Sequence, residues 1–205
     1  MTNVGTPTPR RNRASRLPAV ETDVSYGAVP HGTSPLRIAF AGKMQVGKTT
    51  AADHLVLRHG FWKYALADPI KQIARRDFDW DGEKDERGRR LLQEIGTVGR
   101  AYDPDLWLRR LAERLQDDAP PRAVVDDVRL AREVASLERL GFTVARIVRP
   151  AHRIATATSG DRARHETEIE LDDVAFDVTI DNGGTFDELY ARLDRCVAGL
   201  APAPR

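Results

Sequence analysis

One glycine-rich stretch decides the fold of this chain: Ala41-Gly42-Lys43-Met44-Gln45-Val46-Gly47-Lys48-Thr49-Thr50. It contains the spacing Gly-x4-Gly-Lys-Thr, whose glycines let a backbone loop wrap closely around a polyphosphate. The preceding residues Leu36–Ala41 form the apolar run of a short buried strand, and residues 49–59 have the apolar spacing of a helix. A strand, a glycine-rich turn and a helix form the context in which this motif works. The sequence therefore predicts a phosphate-binding loop, with a purely structural turn as the alternative.

The loop also predicts how a nucleotide is held. Free N–H groups at the start of the helix point at the anion, Lys48 reaches the β- and γ-phosphates, and the Thr49 hydroxyl ligates a metal ion. We therefore expect ATP and Mg²⁺ as cofactors. Lys43 is not a fixed position of the motif. The expected residues of this loop are Gly42, Lys43, Met44, Gln45, Val46, Gly47, Lys48, Thr49 and Thr50.

Length and composition narrow the class of protein. The chain has 205 residues and a formal net charge of +1, which favours one domain without a strong polyelectrolyte surface. Its one cysteine, Cys196, allows no internal disulfide and fits a reducing, cytoplasmic compartment. No apolar run approaches the length of a membrane span.

The domain organisation follows from shifts in composition. Residues 1–34 are rich in proline and arginine and poor in large apolar side chains, which predicts a disordered basic tail. Contact with nucleic acid is the alternative for that tail. Residues 35–200 are predicted to form the folded domain, with a helical acceptor-binding region at about 68–117 and a basic lid at about 150–168. Residues 201–205 are predicted to be a disordered C-terminus.

Strands and helices alternate along the folded part, which predicts a parallel α/β sheet flanked by helices. Asp68-Pro69 and Asp103-Pro104 each combine a favoured helix N-cap with a favoured first helical residue, so each is predicted to start a helix. Thr185 is predicted to cap the last helix. The further predicted strands cover residues 61–66, 122–129, 142–148 and 176–180.

Two acids close one predicted strand. Val124-Val125-Asp126 resembles a second nucleotide-binding strand, whose acid holds Mg²⁺ directly or through water, so Asp126 is the expected metal ligand beside Thr49. Asp127 is its rival, because neighbouring strand residues face opposite ways. Either acid could instead cap the following helix.

Phosphoryl transfer also requires basic residues outside the loop, because positive charge is needed on both sides of the migrating group. Arg129 stands out, since it follows a predicted strand at the sheet edge where ligands bind. About half of the other candidates are expected to be merely solvated. These are Lys71, Arg89, Arg90, Arg100, Arg149, Arg153, Arg162 and Arg164.

Several stretches, in this order, resemble one family. They follow the glycine-rich loop as Ala65-Leu66-Ala67-Asp68-Pro69-Ile70-Lys71, Arg90-Leu91-Leu92-Gln93-Glu94-Ile95-Gly96-Thr97, Asp103-Pro104-Asp105-Leu106-Trp107, Val125-Asp126-Asp127-Val128-Arg129 with Glu133, His165-Glu166-Thr167-Glu168, and Ile180-Asp181-Asn182-Gly183-Gly184-Thr185. Together they span residues 37–195 and resemble the phage-type deoxynucleoside monophosphate kinases, a branch of the P-loop nucleoside monophosphate kinase fold. Two departures are Leu130-Ala131-Arg132, where the family often has Phe-Pro-Asn, and Thr167, where it commonly has Ser.

The resemblance implies a phage-encoded, cytoplasmic enzyme that transfers the γ-phosphoryl of ATP to deoxynucleoside monophosphates, as precursor synthesis for DNA replication. It implies Lys48, Arg129 and Asp68 at the catalytic centre. The adenine of ATP would lie near Asp181, Asn182 and Gly183. The lid would carry Arg149, Arg153, Arg162 and Arg164, and the acceptor pocket would be lined by Asp68, Lys71, Arg90, Gln93, Trp107 and Arg129.

The acceptor decides the mechanism. The second pKa of a phosphate monoester is about 6, so its oxygen is already ionised and no general base is needed. Asp68 is then a helix cap or a positioning group. In the alternative, a dephospho-coenzyme A kinase, the acceptor is a hydroxyl and Asp68 becomes the base. A polynucleotide-end kinase is a further alternative, but the near-neutral charge argues against it. We expect small nucleotides as partners, neither a membrane nor nucleic acid, and leave open a homodimer.

Overall fold

The computed structural model describes residues 35–150, 171 and 173–201. The predictions for the tail (1–34), for most of the lid, including Arg153, Arg162 and Arg164, and for residues 202–205 lie outside these residues. Within them, no helix combines the length and the apolar character needed to cross a membrane.

Five parallel strands form one sheet in the order β2-β3-β1-β4-β5. The central strand is β1 (Leu36–Ala41), with β3 (Arg122–Val128) and β4 (Thr143–Val148) on either side. The edge strands are β2 (Trp62–Tyr64) and β5 (Val178–Asp181). The last four residues of β1 are all buried, which is typical of a parallel strand covered on both faces. The predicted parallel α/β sandwich is confirmed.

Helices cover both faces of the sheet. Ile38 and Phe40 of β1 pack in one core with α1 and α6, whereas Ala39 and Ala41 pack in a second core with α4 and α5. This alternation follows from the two-residue period of a strand. The helices are α1 (Lys48–His59), α2 (Asp68–Phe78), α3 (Glu86–Tyr102), α4 (Leu106–Asp118), α5 (Ala131–Arg139) and α6 (Phe186–Leu200).

Two of the three predicted helix caps are wrong. Asp68 is the first residue of α2, not its cap, and its carboxylate accepts a hydrogen bond from the N–H of Ala65 (3.1 Å). Asp103 follows the end of α3, and its side chain accepts from the N–H of Asp105, so α4 begins only at Leu106. In both places the aspartate binds a neighbouring backbone N–H outside the helix, which is the usual competitor of capping. The prediction for Thr185 is confirmed, because its hydroxyl accepts from the N–H of Glu188.

Helices α3 and α4 are held together by Trp107. Its ring is 6% exposed and its indole N–H donates to the carbonyl of Gly96 (3.1 Å). A Cβ atom at Gly99 would lie 2.2 Å from the ring, closer than any normal contact. Gly99 therefore makes room for the indole within α3, which continues to Tyr102.

Replacing Gly99 tests its packing against Trp107. We expect Gly99→Ala to lower the free energy of unfolding by about 1–3 kcal/mol, because the added methyl group must displace the indole. Gly199→Ala is the matched control in α6, where no atom lies within 4 Å of the new Cβ, and it should be neutral or stabilising by up to about 1 kcal/mol. Urea unfolding measures both variants. Equal stability of the two would contradict the packing role of Trp107.

Candidate active site

The phosphate loop joins β1 to α1 through two glycines that no other residue could replace. Gly42 has φ +142°, and a Cβ atom there would lie 2.5 Å from the carbonyl oxygen of Ile147. Gly47 has φ +101°, and a Cβ atom there would lie 2.4 Å from the Asn182 side-chain amide nitrogen. Both positions combine a left-handed backbone with a close neighbour. The path of the loop therefore requires the glycines of the motif.

One side chain of the loop is buried in the core, and most of the others are exposed. Val46 is buried in the core. Lys48 turns back over the loop, where its ammonium donates to the carbonyls of Gly42 (2.6 Å) and Lys43 (2.7 Å). An ammonium in this position is ready to exchange backbone carbonyls for phosphate oxygens. The remaining predicted loop residues leave the rim open: Lys43, Met44, Gln45 and Thr49 are exposed, and Thr50 is half-buried.

Asn182 ties the loop after β5 to the phosphate loop. Its side-chain amide donates to the carbonyl of Val46 (2.8 Å), and its backbone N–H donates to the carbonyl of Val148 (2.7 Å). The neighbouring Asp181 carboxylate accepts from the N–H of Gly183 (2.8 Å). Of the three residues expected near adenine, Asp181, Asn182 and Gly183, the structure brings Asn182 into direct contact with the phosphate loop.

The structure separates the two acids at the end of β3. Both carboxylate oxygens of Asp127 accept backbone hydrogen bonds, one from Leu66 (2.8 Å) and one from Ala67 (2.9 Å). Burial raises the pKa of Asp127, although these two hydrogen bonds act in the opposite direction. The residue keeps some accessible surface, but its carboxylate is enclosed. Asp127 therefore fixes the connection between β2 and α2.

Asp126 lies on the other face of β3, the face on which Val124 packs with α1. Its carboxylate contacts the Lys63 ammonium (3.1 Å), which also contacts Asp53 of α1 (2.8 Å). Burial acts to lower the pKa of Lys63, but the hydrogen bonds and charges of both acids outweigh it, and the net pKa is raised. Neither Lys63 nor Asp53 was predicted from the sequence. The available signal was the spacing of Thr49 and Asp53, which places both on one side of α1.

Asp68 and Lys71 form a second charged group, at the start of α2. The Lys71 ammonium lies 3.0 Å from the Asp68 carboxylate, and the Arg114 guanidinium lies 3.6 Å from it. Arg114 also stacks over the ring of Tyr64, at 5.2 Å from its centroid. Two cations and the N–H of Ala65 thus hold Asp68 in place. The role of Arg114 had no local signal in the sequence.

Three arginines gather where β3 ends, around Glu133 of α5. The Glu133 carboxylate accepts from the backbone N–H groups of Arg129 (2.8 Å) and Leu130 (3.0 Å), and burial raises its pKa. Burial also lowers the pKa of Arg100; the charges of Arg132 and Arg129 lower it further, and that of Glu133 opposes them. Arg100, Arg129 and Arg132 thus bring three positive charges near Glu133, and the Asp127 carboxylate is a second negative charge nearby. This excess of positive charge suits an anion.

The remaining predicted residues have different environments. Arg90 pairs with Glu94 on the exposed side of α3 (2.8 Å), and Gln93 is exposed on the same helix. Trp107 was predicted to contact substrate, but its burial and its bond to Gly96 assign it to packing between α3 and α4. Arg149 follows β4, and its Nε is buried without a hydrogen-bond partner within the described part of the chain.

The strand order and the phosphate loop together define a P-loop kinase fold. TT1252 from Thermus thermophilus has the same fold, with a TM-score of 0.53 at 20% identity, over 83% of this chain and 100% of that chain. Shikimate kinase from Aquifex aeolicus vf5 gives a TM-score of 0.50 at 15% identity, over 80% of this chain and 97% of that chain. At these identities the likeness concerns the fold alone.

Sequence relatives define the family. The uncharacterized protein ORF76 of Ictalurid herpesvirus 1 (strain Auburn) is 31% identical over 205 residues, covering 93% of this chain and 81% of that protein. This chain belongs to the same family as ORF76. ORF77 of the same virus, also uncharacterized, is 33% identical over 136 residues, covering 65% of this chain but only 58% of that relative.

A third relative, from Acanthamoeba polyphaga mimivirus, is named "Putative deoxynucleotide monophosphate kinase". It is 28% identical over 193 residues, covering 78% of this chain and 95% of that protein. No protein-family model matches the chain.

The different structural roles of Asp126 and Asp127 can be tested by measuring how much each substitution destabilises the fold. We expect Asp127→Asn to lower the free energy of unfolding by about 1–3 kcal/mol, because an amide offers only one oxygen to the N–H groups of Leu66 and Ala67. Asp126→Asn should cost less, since Lys63 keeps its contact with Asp53. Urea unfolding of both variants measures the difference. A larger loss for Asp126→Asn would reverse the assignment.

Proposed function

We propose that this chain is an ATP-dependent kinase that phosphorylates deoxynucleoside monophosphates to diphosphates. One observation carries the proposal: two anion sites begin side by side at one edge of the sheet. Ala41 of β1 is paired with Val128 of β3, so the phosphate loop and Arg129 start from neighbouring strand ends. A kinase needs these two sites, one for the donor and one for the acceptor.

The acceptor class is supported by the chemistry of the second site and by one relative. Arg100, Arg129 and Arg132 offer the charge and the planar donors that suit a phosphate monoester. The mimivirus relative carries the name of a deoxynucleotide monophosphate kinase, and this chain covers 95% of it.

The phosphate loop fits ATP and Mg²⁺. Its glycines leave space that a Cβ atom would fill, Lys48 lies over the loop, and the Thr49 hydroxyl is exposed at the start of α1. Thr49 and Asp126 are the residues that would hold Mg²⁺, with Asp127 committed elsewhere. When bound, MgATP supplies the phosphoryl group to be transferred.

The residues of this chain would align and neutralise two anions. Lys48 exchanges its carbonyl partners for phosphate oxygens and balances charge on the donor side. Arg129, with Arg100 and Arg132, holds the acceptor phosphate and balances the other side. The acceptor oxygen is already ionised near neutral pH, so no base is required. Asp68, held by Lys71 and Arg114, is then a positioning group for the acceptor.

The other predicted residues complete this proposal. Asp181, Asn182 and Gly183 would border the adenine side, because Asn182 is bonded to the phosphate loop. Arg90 and Gln93 of α3 would meet the acceptor from the helical region. Arg149, whose buried Nε has no partner among residues 35–150, 171 and 173–201, would donate to a phosphate oxygen at the base of the lid. A phage origin and a role in precursor synthesis for DNA replication remain predictions of the resemblance.

The first test is an acceptor panel in a coupled ADP-release assay with MgATP. We expect turnover with one or more of dTMP, dGMP, dCMP, 5-hydroxymethyl-dCMP and dAMP. Turnover should fall by at least about 100-fold in Lys48→Ala, since an electrostatic contact to the transferring phosphoryl is lost. Ribonucleotides and dephospho-coenzyme A complete the panel. Turnover only with dephospho-coenzyme A would make Asp68 the base, and the absence of acceptor-dependent turnover would refute the proposal.

The second test concerns the three-arginine cluster. We expect Arg132→Asn to raise the KM for the monophosphate by about tenfold to 100-fold, because a charge-assisted hydrogen bond contributes about 1.5–3 kcal/mol. The KM for ATP should stay unchanged. Arg139→Gln is the control on the same helix, because the Arg139 guanidinium donates hydrogen bonds to Ala135 and Ser136 of α5 itself. An equal rise in both KM values, or the same rise in the control, would remove Arg132 from the acceptor site.

A further inference from the structure

Two histidines and an aspartate converge between α1 and α6, in a group that the proposed reaction does not use. The Nε2 atom of His54 lies 2.7 Å from Oδ1 of Asp194, and the Nε2 atom of His59 lies 2.6 Å from the same oxygen. Among the residues that the structure describes, these three form the one group of histidine, cysteine or acidic side chains whose ligand atoms all lie within 4.8 Å of one another.

The rings are held in a fixed arrangement. The imidazole of His54 stacks on Tyr190, with centroids 4.2 Å apart and planes 4° from parallel. The two imidazoles stand nearly at right angles, with centroids 5.9 Å apart and an interplanar angle of 74°. The histidine side chains are 13% and 20% exposed, and that of Asp194 is 43% exposed. The ligand atoms are thus preoriented from the protein side and reachable from solvent.

The distances fit a metal ion with only small adjustments. Zinc binds imidazole nitrogen at about 2.0–2.1 Å and carboxylate oxygen at about 2.0–2.2 Å. Two ligand atoms of one ion are therefore at most about 4.2 Å apart. The three atoms lie within 4.8 Å of one another, and the two hydrogen-bonded nitrogen–oxygen pairs, at 2.7 and 2.6 Å, must separate to about 3.3 Å, the ligand spacing of a tetrahedral site, to admit an ion. Two imidazole nitrogens and one carboxylate also form a donor set that suits zinc, copper and nickel.

We propose that His54, His59 and Asp194 form a binding site for a divalent transition cation of the zinc class, with water in the remaining position. The site would join the helix that begins with Lys48 to the helix that follows the Asn182 loop. Because α1 directly follows the phosphate loop and α6 follows the segment of Asn182, which is hydrogen-bonded to that loop, the cation would stabilise the two helices that flank these segments in sequence. The proposal does not depend on which acceptor is phosphorylated.

The test is a titration of the full-length, metal-free chain with Zn²⁺ in the presence of excess Mg²⁺, which keeps the proposed magnesium site occupied. We expect one Zn²⁺ per chain by calorimetry and a rise in Tm, because a ligand that binds the folded state stabilises it. Co²⁺ should give the absorption bands of a four-coordinate ion. In Asp194→Asn and in His59→Gln, affinity should fall at least about tenfold, since even the loss of an outer-shell partner costs that much.

Control variants test whether other residues bind the ion and whether each substituted chain still folds. Asp187→Asn, at an exposed position of α6, and Cys196→Ser should bind Zn²⁺ as the wild type does. The chain has 5 histidines, and replacing His31, His152 and His165 by Gln should also leave binding unchanged. The Tm without metal shows whether each variant folds. Unchanged affinity in Asp194→Asn and His59→Gln, or no binding by the wild type at micromolar Zn²⁺, would overturn the proposal and leave a hydrogen-bonded His-Asp-His cluster.

Discussion

The hydrogen bond from the Asn182 side chain to the carbonyl of Val46 is the contact on which the phosphate loop depends. It joins residues 136 positions apart and is buried. Gly47 is required next to it, because any side chain at that position would occupy the space of the Asn182 amide. Val46 in turn is anchored in the core that β1 shares with α1 and α6. The conformation of the glycine-rich loop therefore depends on Asn182, a residue outside the motif.

The end of β3 places two neighbouring acids on opposite faces of the sheet. Asp126 and Asp127 are neighbours in sequence, but the alternation of β3 sends one toward Lys63 and α1 and the other toward the backbone of Leu66 and Ala67. Asp127 fixes the chain just before Asp68, and Val128 leads into Arg129 and the basic cluster. One strand end thus carries Asp126, Asp127 and the chain that leads into the arginine cluster.

The features that could be predicted from the sequence are those that local periodicity and motif spacing determine. The parallel sheet, the glycine-rich loop and the Thr185 cap followed from patterns within a few residues. Contacts between distant segments left no such pattern. Lys63 meets Asp53 and Asp126 only because β2 lies beside β3. The resemblance implied Trp107 in the acceptor pocket, whereas its ring packs against Gly99 of α3. The Asp-Pro pairs misled because a local backbone N–H competed successfully for each carboxylate.

The position of Asn182 near the end of the described chain has a consequence for synthesis. The motif at residues 41–50 leaves the ribosome early, but its support arrives only with β5 and α6. Domains fold as units once their long-range contacts can form, and those contacts are the slow ones in parallel sheets. A nascent chain stopped before residue 182 would carry the complete nucleotide motif without the contact that shapes it. The supported form of the loop can therefore arise only after synthesis has passed Asn182, 136 residues beyond Val46.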